Sequence, residues 1–163
     1  MTDRPTGFPS TADLFDEHGD ALRSCDLQFA HHGRRTWFSG SIRTVRCHHD
    51  VGLIRSLLEQ AGDGAVLVVD GGGSLRAALL GDILAGLAVA NGWSGLVISG
   101  AVRDTAALAD LDIGIKALGT SPRSADRAGG GKLDGVVRFG GATFEPGALL
   151  VSDEDGVVVL PAR

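Results

Sequence analysis

Cysteine is scarce in this chain of 163 residues: Cys25 and Cys47 are the only two. They lie too far apart for a CxxC motif and are too few for a disulfide framework, so both are expected to be reduced and partly buried, as in a cytoplasmic protein. Basic residues are also in deficit. Fifteen Lys and Arg against twenty Asp and Glu give a formal charge of −5, which argues against the basic face that a dedicated nucleic-acid binder needs for phosphate neutralisation. Arg34-Arg35, Arg43 and Arg46 form the only local excess and read as a solvated strand face or a subunit contact. No window approaches 18 uninterrupted apolar residues, and the segment MTDRPTGFPSTADLF has no apolar h-region, so neither a membrane span nor a signal peptide is expected. Tyrosine is missing altogether and aromatics make up 5% of the residues. Glycine, by contrast, occurs 25 times and implies many tight turns. The length suits one compact domain that buries a core without disulfides or a structural metal.

Residues 1–9 carry two prolines and a glycine and are expected to form a loose arm ahead of a single domain over 10–163. Ser10 or Thr11 caps a short helix through Glu17, which Gly19 ends. Thr36–Cys47 mixes β-branched and aromatic residues around Gly40, predicting a strand with a bulge or bend. Asp50 then caps a helix whose Val51, Ile54, Leu57, Leu58 and Ala61 share one face. Ala65–Val69 is a continuous apolar run bounded by glycines, the pattern of a strand buried on both faces in a parallel sheet. The turn Asp70-Gly71-Gly72-Gly73 follows, and helical spacing is expected from Ser74 through Ala88 to an Asn91-Gly92 cap. Gly95–Ser99 and Gly114–Leu118 read as further strands, with a helix capped by Asp104 running to Ala109 between them. Gly119–Asp134 is rich in glycine, serine and charge and predicts a mobile surface loop. Two hairpins follow, one turning at Gly140-Gly141 and one at Asp153–Gly156. The fold class is α/β with mixed sheets.

Several motifs fail their own tests. Gly71-x-Gly73 has Arg76 where GxGxxG needs glycine, and no Walker lysine follows, so a tight turn is favoured over nucleotide binding. His31-His32 and His48-His49 are adjacent pairs, and neighbours on a strand point to opposite faces, which makes both poor chelates. There is no GxSxG elbow. The Asp153-Glu154-Asp155-Gly156 stretch lacks EF-hand spacing and reads as a hairpin turn.

The most informative stretch is GDILAGLAVANGWSGLVISGAVRD, from Gly81-Asp82 to Arg103-Asp104. It places a guanidinium beside a carboxylate at the end of an apolar strand, facing a second carboxylate that opens a helix. That trio suits an anionic substrate held by a cation, with Asp104 ligating a hard divalent metal and Arg103 steadying developing negative charge. Each part also has a plain structural reading: Asp82 as a carboxylate facing a helix dipole, Arg103 and Asp104 as an exposed pair with Asp104 as an N-cap.

From about Thr11 to Leu160 the sequence resembles the RraA family, through CDLQF at Cys25–Phe29, FSGSIRTVRC at Phe38–Cys47, VVDGGGS at Val68–Ser74, the GD-to-RD block, and DIGIKALGTSPR at Asp112–Arg123. The family comprises regulators of ribonuclease activity and metal-dependent 4-hydroxy-4-methyl-2-oxoglutarate aldolases. The resemblance implies a single-domain, β/β/α swivelling-type fold and a homotrimer with its site between subunits. It implies a lyase that forms pyruvate through an enolate, by retro-aldol cleavage of that substrate or by decarboxylation of oxaloacetate, both small α-keto dicarboxylates. The cofactor implied is Mg2+ or Mn2+ on Asp104. Arg103 and Asp82 take the catalytic roles, Arg103 on the enolate oxygen and Asp82 orienting the water that serves as base. Arg103 and the helix-start residues Gly81, Asp82, Ile83 and Leu84 bind substrate. In aldolase members a further Glu or Asp follows two residues after the Arg-Asp pair; here that position is Ala107. This departure, with the short chain, favours the alternative of a non-catalytic trimer that inhibits an RNase E-like ribonuclease. Methyl transfer in menaquinone synthesis, a label the family also carries, is set aside because the chain lacks a convincing glycine fingerprint for S-adenosylmethionine.

Overall fold

A computed structural model describes residues 4–161. Of the expected arm, residues 1–3 lie outside that range; residues 4–10 run without helix or strand, with Phe8 edge-on to Trp37 at 5.3 Å between ring centroids. The order is α1 (Thr11–His18), a 3-10 turn, β1 (Arg23–Ser24), β2 (Ala30–His31), β3 (Phe38–Arg46), α2 (Gly52–Leu58), β4 (Val66–Asp70), α3 (Asp82–Ala90), β5 (Gly95–Val102), α4 (Thr105–Leu108), β6 (Gly114–Thr120), β7 (Lys132–Leu133), β8 (Val137–Phe139), β9 (Ala142–Phe144), β10 (Leu149–Ser152) and β11 (Val157–Leu160). Helix α1 starts at a capping box, with the Ser10 side chain accepting the Asp13 N–H and the Asp13 carboxylate accepting the Ser10 N–H.

Strands β3 to β6 are parallel neighbours in that order, joined by α2, α3 and α4. Strand β3 serves two sheets: Phe38–Ser41 pair antiparallel with β10, and Ile42–Arg46 pair parallel with β4. Of the bulge or bend expected at Gly40, the bulge is absent, since the pairing register runs unbroken there. Glycine is needed there for close approach instead, since a Cβ would stand 2.1 Å from the Gly64 carbonyl oxygen. A register shift does occur in β5, between Ile98 and Ala101.

The apolar run of β4 explains the layering. Leu67 and Val69 face Ile54, Leu57, Leu58, Leu84 and Ala88 on the helical side, whereas Val66 and Val68 face Phe38, Ile42, Phe144, Leu150 and Val159 on the hairpin side. A central sheet with helices on one face and antiparallel strands on the other is the expected β/β/α arrangement. Gly140 and Gly141, at φ 58° and 75°, make the two-residue turn between β8 and β9 as expected. Both cysteines are free and buried, and burial pushes the Cys47 thiol up to about 12. Among the described residues no helix is long and apolar enough to cross a membrane.

Three expectations need correction. The helix predicted from Ser74 begins only at Asp82. Ala77–Leu80 are four consecutive buried residues, whereas a helix on a sheet buries one stripe. They follow an irregular, bent path along the end of β5, bridged at Ala78, with the Leu79 N–H on the Ala101 carbonyl and the Arg103 N–H on the Leu80 carbonyl. Second, Gly119–Asp134 is not merely a polar loop: it contains β7, forms bridges from Ser124 to Ala78 and from Asp126 to Asp50, and ties Asp134 to Arg43 by two hydrogen bonds of 2.8 and 2.9 Å. Its backbone donors find acceptors elsewhere in the chain, a tertiary effect that composition does not encode. Third, His48 and His49 lie beyond β3 rather than on it, with His49 at φ 51° and the two rings 3.9 Å apart.

Candidate functional site

The GD-to-RD block closes on itself in space. Strand β5 delivers Arg103 at its carboxyl end, and Asp104 turns the chain in the left-handed region at φ 60°, ψ 39°, a conformation Asp tolerates better than most residues. Asp104 occupies the N-cap position of α4 but does not cap it with its side chain. Its Oδ2 accepts the Asp82 N–H at 3.1 Å instead, so it caps α3, a correction to the expected local role. Gly81 permits this contact, because a Cβ there would stand 2.7 Å from Asp104 Oδ2. The Ala85 N–H closes the first bond of α3 to the Gly81 carbonyl, which leaves the Ile83 and Leu84 N–H groups as the open donors of the helix start. The Asp82 N–H, expected to meet a substrate carboxylate, is already used.

These residues line a cavity of about 300 Å³. Gly81, Asp82, Ile83, Leu84, Arg103 and Asp104 all contribute to it, so the six residues expected to bind substrate or metal reach one place. Asp82 and Asp104 are exposed, Arg103 is half-buried, and Leu84 is buried while Ile83 is 72% exposed. The Arg103 guanidinium reaches the Pro122 carbonyl at 3.4 Å. Ala107 lies exposed on α4 and adds no carboxylate. Arg34 and Arg35 lie elsewhere, paired with Asp112.

The sequence did not point to the remaining polar residues of the cavity, which are Arg55, Ser124 and Arg127. Arg55 sits off the apolar stripe of α2 and reads as a solvated charge, and Arg127 sits in a glycine-rich loop; neither belongs to a motif. Three arginines, of which Arg55 is ion-paired with Glu59, and two aspartates thus line a cavity in a protein whose overall charge is −5. That reversal of sign favours an anionic ligand.

Asp50 holds this side of the cavity together. It stands one residue before the Val51 N-cap of α2, not at the cap as expected, and its Oδ1 accepts the Gly52 N–H at 2.8 Å and the Gly129 N–H at 3.0 Å while Oδ2 accepts the Ala128 N–H at 3.0 Å. The Gly52 N–H foremost, helped by the backbone donors of Gly129, Gly130 and Ala128, holds the Asp50 carboxyl below the usual carboxylate range against the opposing effect of desolvation. A depressed folded-state value stabilises the fold above the ordinary carboxylate pKa, and that stability is lost as pH falls through the folded value. Asp50→Asn is therefore expected to destabilise by about 1–3 kcal/mol at neutral pH. Urea unfolding should show the gap to the native protein narrowing below about pH 4; a gap independent of pH would mean that ionised Asp50 adds nothing.

For a divalent cation the chemistry of the donor set matters. Among the described residues no group of three or more His, Cys, Asp or Glu could form a cage. A single exposed carboxylate with one oxygen outside the Asp82 hydrogen bond fits a cation that keeps several waters and takes its other ligands from substrate, as Mg2+ does. Asp104 is the residue that would hold it.

Residues 11–159 match the RraA-like family, described as Aldolase/RraA. The chain belongs to that family. Two solved structures share its architecture almost end to end. One is the S-adenosylmethionine: 2-dimethylmenaquinone methyltransferase of Geobacillus kaustophilus HTA426, with 45% identity, a TM-score of 0.93 and coverage of 95% of this chain and 96% of that one. The other is the RNA-processing inhibitor RraA of Thermus thermophilus, with 42% identity, a TM-score of 0.92 and coverage of 96% and 94%. Streptomyces coelicolor RraAS2, an unusual member of the RNase ES inhibitor RraA family, is more distant at 28% identity, a TM-score of 0.73 and coverage of 91% and 77%. The RraA-like fold and the recognition drawn from the sequence are both borne out.

Proposed function

We propose that this RraA-like protein is a divalent-metal-dependent lyase that forms pyruvate from a small α-keto dicarboxylate, 4-hydroxy-4-methyl-2-oxoglutarate or oxaloacetate. The observation that carries this reading is the convergence, on one cavity of net positive lining, of the Arg103 guanidinium, the Asp104 carboxylate and the start of α3. Arg103 offers a planar fork to the keto oxygen and adjacent carboxylate, and binds more strongly as charge moves onto that oxygen in the enolate. The open Ile83 and Leu84 N–H groups, at the positive end of α3, orient a substrate carboxylate. Asp82, exposed in the same first turn, takes a proton and returns it through a water. A Mg2+ or Mn2+ ion on Asp104 would supply Lewis-acid polarisation of the α-keto acid. Leu80, Leu84 and Val51 give the cavity an apolar side against the carbon skeleton.

The family resemblance adds a cytoplasmic homotrimer to this proposal. A second reading, a non-catalytic trimer that inhibits an RNase E-like ribonuclease, is favoured by the likeness to the RNA-processing inhibitor and by Ala107. Methyl transfer has less support: the Gly71–Gly73 turn opens no helix, since the chain from Ser74 to Gly81 is extended or irregular, whereas dinucleotide-type glycine turns place their ligand on a helix N-terminus.

The deciding experiment is pyruvate release from oxaloacetate and from 4-hydroxy-4-methyl-2-oxoglutarate, with Mg2+ or chelator, beside Asp104→Asn. Asn tolerates the left-handed backbone, so the variant tests the carboxylate rather than the turn. Metal-dependent turnover that falls to background in the variant is expected. Background rates in the native protein would leave ribonuclease inhibition as the reading to pursue.

A further inference from the structure

We infer that Arg55 and Arg127 form a second anion-binding wall of the cavity, which selects ligands carrying a carboxylate remote from the end held by Arg103. This assignment deepens the lyase reading and rests on it for the identity of the near end. Arg127 has no hydrogen bond or ion pair among the described residues, and Arg55 is ion-paired with Glu59 through its Nε at 3.0 Å, with no bond from its two terminal nitrogens among the described residues. Guanidinium carries five donors in a planar fork, so both side chains retain capacity for an oxyanion. Of the two carboxylates in the cavity, Asp104 is engaged by the Asp82 N–H, and neither carboxylate is paired with these arginines.

The two arginines come from elements far apart in the chain, and the structure spends specific contacts on bringing them together. Asp50 accepts the Gly52 N–H at the start of α2 and the Ala128 and Gly129 N–H groups immediately after Arg127. The approach is close enough that a Cβ at Gly52 would stand 2.5 Å from the Gly129 nitrogen. Arg103 arrives separately, from the end of β5. Two cationic groups of independent origin on one small cavity fit a carbon chain with an anionic group at each end.

One ligand pair that differs only in the remote carboxylate, malate against lactate, provides the binding test, and the two proposed keto-acid substrates provide the turnover test. Calorimetry in Mg2+ buffer should show the native protein binding malate about 10- to 100-fold more tightly than lactate, the range for charge-assisted hydrogen bonds. In Arg55→Gln/Arg127→Gln the preference should collapse while lactate binding is unchanged; Arg127→Gln alone should lose part of it. No preference in the native protein, or one that survives in the double variant, overturns the assignment. Because malate does not react, the lyase reading fails separately. Malate preference without turnover of either oxaloacetate or 4-hydroxy-4-methyl-2-oxoglutarate removes the lyase and leaves the wall standing, and turnover without preference does the reverse.

Discussion

Replacing Arg103 with lysine is expected, for the lyase proposed above, to lower the rate of pyruvate formation by about 10²- to 10³-fold, the usual cost of deleting a donor aimed at a developing oxyanion. Charge is conserved in this substitution, so the loss isolates geometry. The guanidinium presents parallel donors in one plane, whereas an ammonium is a compact, strongly hydrated point charge. The backbone at Arg103 is fixed by its N–H on the Leu80 carbonyl, which leaves little freedom for a lysine to move toward the lost position. Folding should be unaffected, since the side chain is only half-buried and its one hydrogen bond among the described residues, to the Pro122 carbonyl, is long at 3.4 Å. Steady-state kinetics on oxaloacetate alongside a urea titration separates the two effects. A lysine variant with the native rate would remove Arg103 from the transition state.

Phe38→Ala should cost about 3–5 kcal/mol, near the top of what single core truncations remove. The ring is 1% exposed and lies across Gly95 and Gly114 of two neighbouring strands, where an added Cβ would stand 2.3 and 1.9 Å from its atoms. Neither glycine has a side chain to collapse into the vacated space, so the cavity persists. Gly114→Ala should also destabilise, by overpacking against the ring. The double variant Phe38→Ala/Gly114→Ala should then be more stable than the sum of the two single losses, since the new methyl occupies part of the hole. Unfolding midpoints of the four proteins complete the cycle; strict additivity would mean that the ring and the glycine do not compete for one space.

Legibility in the sequence followed the range of the forces involved. The run Ala65–Val69, the Gly140-Gly141 turn and the Ser10 cap are local, and composition specified each. Ala77–Leu80 misled because a short apolar run fits a buried helix turn and a buried non-helical segment equally well, and the hydrogen bonds that decide it come from β5. Arg103, Asp104 and the start of α3 were found because a motif joins them across twenty residues. Arg55 and Arg127 had no such link. Their proximity depends on Asp50 reaching from the end of β3 to a loop nearly eighty residues later, a pairing that no periodicity records.

The double membership of β3 bears on how the chain is made. Its second half finds a partner in β4 within about twenty residues, but Phe38–Ser41 pair with Leu149–Ser152, which leave the ribosome roughly a hundred residues later. At about 5–20 residues per second, a growing chain would carry this open strand edge, with Phe38 uncovered beside it, for roughly 5–20 seconds. Vectorial synthesis thus leaves a β-edge waiting for the C-terminal hairpin. The exposed Ser41 and half-buried Ser39 and Gly40 on that edge keep the waiting strand from being a continuous apolar template for another nascent copy.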